Sequence, residues 1–300
     1  MFSGSLVAIV TPMHSDGAID FAAWDRVLDL HLANGTAGIV VCGTTGESPT
    51  VSEAEQHELL RRAQPRLAGR MALLAGVGGS STADVVERTR RLATLTLDGV
   101  LAVTPAYNRP TQEGLYQHFA AIAAVATAPV MLYNVPARTA VDMLPATVVR
   151  LAKLAGIVAV KEAVGTIERI RELCAIVPQG FDVLSGDDAT ARDSVLAGAC
   201  GVVSVTANVA PRAMAAMIAA ARAGDAVAAS RHDAPLTRLH QALFVEANPI
   251  PVKWALADMG LIGDGIRLPL TWLAEQHRAR LRGAVNEALG SNEHLQAGAA

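Results

Sequence analysis

Along this chain, short runs of β-branched and small apolar residues alternate with longer stretches whose apolar positions recur every three or four residues. The first pattern is that of a buried strand, the second that of a helix laying one face on a core. Strands are predicted at 6–10, 38–42, 71–75, 99–103, 129–133, 157–160, 181–184 and 201–205. Between them the periodicity predicts helices from Asp20 through His31, from Ser52 onward, and over 82–95, 111–125, 144–154, 168–177 and 189–197. Asp20 reads as an N-cap, Asn34-Gly35 as a helix stop, and S-E-A-E at 52–55 as a capping box. Regular β/α alternation with short loops implies a parallel sheet, and eight units imply a closed α/β barrel, the (β/α)8 TIM barrel.

From position 211 the pattern turns purely helical, with helices predicted over 213–223, 225–244, 251–259 and 271–289. Residues 1–224 are therefore expected to form the catalytic barrel and 225–300 a C-terminal helical region, with 291–300 as a frayed end. An open doubly wound sheet is the alternative, but no G-x-G-x-x-G follows the first strand. The glycine cluster at 76–79 lacks that spacing and reads as a tight turn.

Composition narrows the function classes. The 300 residues are 51% hydrophobic with a net charge of −3 and no basic tract, which offers nothing to a nucleic acid or a membrane surface. No apolar run reaches the roughly 18 residues of a spanning helix, and the first twelve residues lack the charged start of a signal peptide. Cys42, Cys174 and Cys200 have no metal-ligand spacing and read as buried thiols of a reducing, cytoplasmic compartment. The eight histidines form no ligand cluster either.

The candidate chemistry lies at the ends of the predicted strands, where barrels of this kind build their sites. I-V-A-V-K-E-A-V at 157–164 places Lys161 in an apolar run, and the chain has only three lysines (153, 161 and 253) against twenty-two arginines. Burial disfavours an ammonium, and a neutral amine attacks carbonyls to form Schiff bases. The plainer alternative is a lysine snorkelling to solvent beside Glu162. Thr44 and Thr45, between glycines, form either an ordinary turn or a carboxylate cradle of N–H groups and hydroxyls. Tyr107 and Tyr133, two of three tyrosines, are core residues or proton carriers. Arg138 is a surface ion-pair partner or a bidentate clamp for a carboxylate.

GTTGES (43–48), YNRP (107–110), YNVPART (133–139), VKEA (160–163), LSGDD (184–188) and GVVSVTAN (201–208) together resemble the dihydrodipicolinate synthases. The likeness runs from GSLVAIVTPM (4–13) through NPIPVKWAL (248–256) to RLPL (267–270), nearly the whole chain and in the family's order. What it implies is a Schiff-base-forming aldolase-type lyase with no metal or organic cofactor, a step of the diaminopimelate route to lysine. Its substrates are pyruvate and L-aspartate 4-semialdehyde. By the same resemblance Lys161 is the nucleophile, Tyr133 moves protons, and Thr45 relays them to Tyr107 from a neighbouring subunit. Thr44 and Thr45 then receive the pyruvate carboxylate, Arg138 that of the semialdehyde, and the main chain near Gly186 and Val203 lines the pocket. The implied assembly is a homo-oligomer, a tetramer built as a dimer of dimers.

Rival readings are weaker. The N-acetylneuraminate lyases share the lysine and tyrosine, but they typically have Ser before Thr in the G-x-T-G-E loop and lack the arginine. Here Thr44-Thr45 and Arg138 are both present. A non-catalytic keto-acid-binding barrel should have lost at least one of these side chains. One departure stands out. Many of the family members inhibited by lysine carry histidine or an aromatic residue at 53, then histidine, asparagine, glutamate and tyrosine at 56, 80, 84 and 106. This chain has Glu53, Gln56, Ser80, Asp84 and Ala106, so weak inhibition by lysine is expected.

Overall fold

The computed structural model describes residues 1–290, so the expected frayed end at 291–300 lies outside the described residues. Eight strands, β1 (Gly4–Ala8), β2 (Gly38–Val41), β3 (Ala72–Val77), β4 (Gly99–Val103), β5 (Val130–Asn134), β6 (Ile157–Glu162), β7 (Asp182–Ser185) and β8 (Gly201–Ser204), pair in parallel in chain order. β8 returns to β1 and closes the barrel.

Around it run α1 (Phe21–Ala33), α2 (Glu53–Leu67), α3 (Thr82–Arg91), α4 (Gln112–Ala123), the single turn α5 (Pro136–Thr139), α6 (Pro145–Leu151), α7 (Ile167–Ile176), α8 (Ala191–Leu196) and α9 (Pro211–Arg222). Then come α10 (Ala226–Asp233), α11 (Thr237–Ala242), α12 (Ile250–Asp258) and α13 (Glu275–Leu289). Among the described residues no helix is long and apolar enough to cross a membrane.

Local chemistry sets the helix starts. The Asp20 carboxylate accepts from Ala23 N–H, and Ser52 and Glu55 form the expected capping box. The apolar side chains separate into two cores because strand residues alternate in direction. Leu6, Val40, Leu74, Leu101, Met131, Ala159, Leu184 and Val203 fill the barrel interior. Their neighbours, such as Val7, Ile39, Leu132 and Val160, pack outward under the helices.

Several boundaries differ from expectation for identifiable reasons. The glycine turn expected from position 76 begins later, because Gly76 and Val77 continue β3. A Cβ on Gly76 would sit 2.3 Å from the Cys42 carbonyl oxygen, so only glycine lets β3 pass that close to the end of β2. The single helix expected over 225–244 is broken by a 3-10 turn at Ala234–Leu236, where Pro235 removes an N–H from the helical ladder. Cys42 is buried as expected, whereas Cys174 and Cys200 are only half-buried.

Candidate active site

A cavity of about 560 Å³ opens at the carboxyl ends of the strands. Thr44, Thr45, Tyr133, Arg138, Lys161 and Gly186 line it, and each arrives there by an element whose geometry can be named.

Lys161 lies inside β6, one residue before its end, and its side chain enters the barrel on the same face as Ala159. It is 4% exposed. Across the sheet it is paired with Tyr133 of β5, and its Nζ stands 4.2 Å from the centre of that ring. Among the described residues no carboxylate is within ion-pair distance of it. Glu162, the partner in the plainer reading, points to the other face of β6. There its carboxylate accepts from Asn134 Nδ2 at 3.1 Å and from Val164 N–H at 2.9 Å, and lies 3.4 Å from Arg169. Burial pushes the Glu162 carboxyl up, against the pull of these donors. Gly186 makes the room for Lys161: a Cβ there would fall 2.7 Å from Ala163 Cβ and 3.0 Å from Lys161 Cε.

The loop at 43–48 leaves β2 through Cys42, whose φ is 53°, and folds on itself by bonds from Gly46 and Ser48 N–H to the Gly43 carbonyl and from Glu47 N–H to that of Thr44. The N–H groups of Thr44 and Thr45 take no part in those turns, which leaves two adjacent donors for an anion. Thr45 is buried and its Oγ1 accepts from Asn248 Nδ2 at 2.9 Å. Thr44 beside it is half-buried and its hydroxyl has no partner among the described residues. Arg138 projects from α5 at the rim, exposed, and spends one N–H on the Asn248 carbonyl at 3.3 Å. The remaining guanidinium donors are free for a ligand.

Two expected residues lie elsewhere. Tyr107, in the loop after β4, has φ 72° and is 93% exposed, away from its own chain's cavity. Val203 fills the barrel interior beneath the site, and the residue that lines the cavity past β8 is Val205.

Sequence reasoning also passed over some of the wall. Phe244, Glu246 and Asn248, on the segment between α11 and α12, overhang the mouth, and Asp187 lines it from beyond β7. Glu47 and Lys253 form an ion pair just behind the loop, both fully enclosed. Burial pushes the Lys253 ammonium below its ordinary value, opposed by the Glu47 carboxylate. The signal was present, since Lys253 sits in the apolar run I-P-V-K-W-A-L much as Lys161 sits in its own.

With this geometry in view, comparison with known proteins is specific. The sequence profile described as the dihydrodipicolinate synthetase family matches residues 1–288. A 4-hydroxy-tetrahydrodipicolinate synthase of Methylococcus capsulatus is 51% identical over 96% of this chain and 99% of its own. One from Nitrosomonas europaea is 53% identical over the same shares. The crystal structure of a chloride-inhibited dihydrodipicolinate synthase from Acinetobacter baumannii, complexed with pyruvate, superimposes with a TM-score of 0.94 at 46% identity, covering 96% of this chain and 99% of that one.

Proposed function

The chain belongs to the dihydrodipicolinate synthetase family, and from that premise we propose how its own residues carry the family's reaction. The activity is that of a lyase of the 4-hydroxy-tetrahydrodipicolinate synthase type, joining pyruvate to L-aspartate 4-semialdehyde on the diaminopimelate route to lysine.

The reaction starts when the neutral amine of Lys161 adds to the keto carbon of pyruvate and water leaves, giving an imine. The protonated imine withdraws electrons, so a methyl proton departs and an enamine forms. Its carbon attacks the aldehyde of the semialdehyde, whose oxygen takes a proton. The semialdehyde amine then closes onto the imine carbon, and the C–N bond to Lys161 breaks, freeing the lysine and the cyclic product.

The Tyr133 ring lies against the Lys161 nitrogen, a position from which it steadies the cationic imine and exchanges protons with the departing water. Thr44 and Thr45 hold the pyruvate carboxylate through their two free N–H groups and hydroxyls. Thr45 relays protons to Tyr107 of a neighbouring subunit. Because the Thr45 oxygen already accepts from Asn248, Thr44 has the hydroxyl that is unengaged in both directions. Arg138 takes the carboxylate of the semialdehyde, and the backbone about Gly186 borders the reacting carbon. A tyrosine that is exposed and lies away from its own chain's cavity suits a homo-oligomer that shares its sites, a dimer pairing into a tetramer, at work in the cytoplasm.

The observation that carries this reading is a buried lysine amine that faces a cavity and, among the described residues, has no carboxylate within ion-pair distance. Borohydride reduction in the presence of pyruvate should therefore trap a covalent adduct on Lys161 alone. Lys253, equally enclosed but paired with Glu47, serves as the internal control. A peptide map with the adduct on Lys253 or Lys153, or with none, defeats the mechanism. Lys161→Ala should fold and lose most of the activity.

A further inference from the structure

Glu47 belongs to the loop that carries Thr44 and Thr45, yet it does not line the cavity. Its backbone has φ 57°, a left-handed conformation that a residue with a side chain adopts only when its surroundings impose it. What imposes it is visible. One carboxylate oxygen meets Lys253 Nζ of α12, and the other accepts from Arg267 N–H at 3.1 Å. Arg267 in turn reaches the Thr50 carbonyl at 2.6 Å, the Gly17 carbonyl at 2.9 Å and the Glu55 carboxylate at 2.9 Å, which ties the far end of the loop to the start of α2.

A second tie comes from the same C-terminal segment. The Asn248 side chain holds Thr45 Oγ1, while the other end of its amide is buried with no partner among the described residues. α12 is enclosed on every side, with each residue from Ile250 to Leu256 buried, so it offers a rigid anchor. Segments that are far apart in sequence thus meet the loop at two points, on Thr45 and on Glu47.

We propose that Asn248, Lys253 and Glu47 act as a clamp that positions the 43–48 loop, presenting the Thr44 and Thr45 donors to the carboxylate of the keto acid. The proposal rests on the reading of that loop as the pyruvate-carboxylate site. Stability alone does not account for the arrangement. A buried ion pair is commonly replaced by apolar groups of similar volume with little loss, whereas Glu47 is held at both carboxylate oxygens, by Lys253 and by the Arg267 N–H. The Asn248 contact has a further consequence. With Nδ2 donating to Thr45 Oγ1, the Thr45 hydroxyl proton is turned away from Asn248 and toward other acceptors.

The test removes both charges together, so that neither is left orphaned: Glu47→Gln combined with Lys253→Met, in the full chain. Borohydride trapping is measured against two ketones, pyruvate and acetone, which share the carbonyl but not the carboxylate. The wild type should trap pyruvate far more efficiently. In the double variant the pyruvate-to-acetone preference should fall at least tenfold and the pyruvate KM rise by a similar factor. The semialdehyde KM should stay within about twofold. An unchanged preference in a folded double variant overturns the clamp, even if its thermal stability is lower. Should the double variant not fold, Asn248→Ala, which deletes only the Thr45 contact, must show the same loss of preference in smaller measure, and an unchanged ratio there overturns the proposal too. Failure of the wild type to trap pyruvate at all would instead remove the Schiff-base reading on which the clamp depends.

Discussion

Replacing Arg138 with alanine separates the two half-reactions. The guanidinium stands at the rim, exposed, with one N–H on the Asn248 carbonyl at 3.3 Å and the others available. A carboxylate held by two parallel charge-assisted bonds draws about 1.5–3 kcal/mol from each of them in a dry site. Water at the rim screens the pair, so the loss should be nearer that range for both bonds together than twice it. That corresponds to roughly a 10- to 150-fold fall in kcat/KM for the semialdehyde. The assay is initial rates with each substrate varied, alongside the rate of borohydride inactivation at graded pyruvate with no semialdehyde present. Inactivation should change little. Arg138→Lys should recover only part of the loss, since an ammonium keeps the charge without the planar fork. If pyruvate trapping falls as far as semialdehyde use, Arg138 acts by supporting Asn248 and the Thr45 contact behind it, and the assignment to the second substrate is wrong.

Mixing inactive Tyr107→Phe subunits with inactive Lys161→Ala subunits should restore part of the activity if Tyr107 completes a neighbour's site, and no recovery after demonstrated subunit exchange would refute sharing. L-Lysine should inhibit little at physiological concentrations. Glu53 is already held by Arg88 and Arg91, Gln56 by the Gly76 carbonyl and Ser80 by that of Ala106, and strong partial inhibition below about a millimolar in an initial-rate titration would contradict losses of roughly 1 kcal/mol per missing contact. Acid should weaken the fold through His31, whose ring is pushed down to about 3 by burial beside Thr36. The unfolded chain takes up the proton below about pH 6.5 while the folded one does not, so stability present above that pH is lost as pH falls toward 3, by about 2 kcal/mol between pH 7 and 5 for this group. Urea titrations should show a smaller pH difference in His31→Gln, and an identical one would rule this source out.

The barrel was legible because its signals are local. Asp20 and Ser52 mark helix starts with groups that bond within three residues, and the β/α alternation needs no knowledge of partners. Boundaries that depend on distant chain were not. β3 runs on through Gly76 because the Cys42 carbonyl passes where a side chain would be, and β6 runs on to Glu162 because Lys161 and Glu162 find pairing partners in β5 and β7. Most of the candidate site residues could be picked out for the same topological reason, since strand ends must meet at one face of a closed barrel. The wall supplied by the segment around Asn248 could not, because nothing in an all-helical stretch says that it folds back over the mouth.

The two enclosed lysines mark the limit of reasoning from burial. An ammonium in an apolar run is costly wherever it occurs, and by that measure Lys253, with 0% exposure, exceeds Lys161 with 4%. What separates them is what each nitrogen faces. Lys253 meets a carboxylate carried to it by a loop 206 residues away, and that partner opposes loss of the proton and occupies the nitrogen. Lys161 meets an aromatic face and open volume, so its nitrogen is left within reach of a carbonyl carbon. The same desolvation thus yields a rivet in one place and a nucleophile in the other. The choice is made by a glutamate whose side chain leaves the cavity and a glycine, Gly186, that keeps space beside the reactive amine.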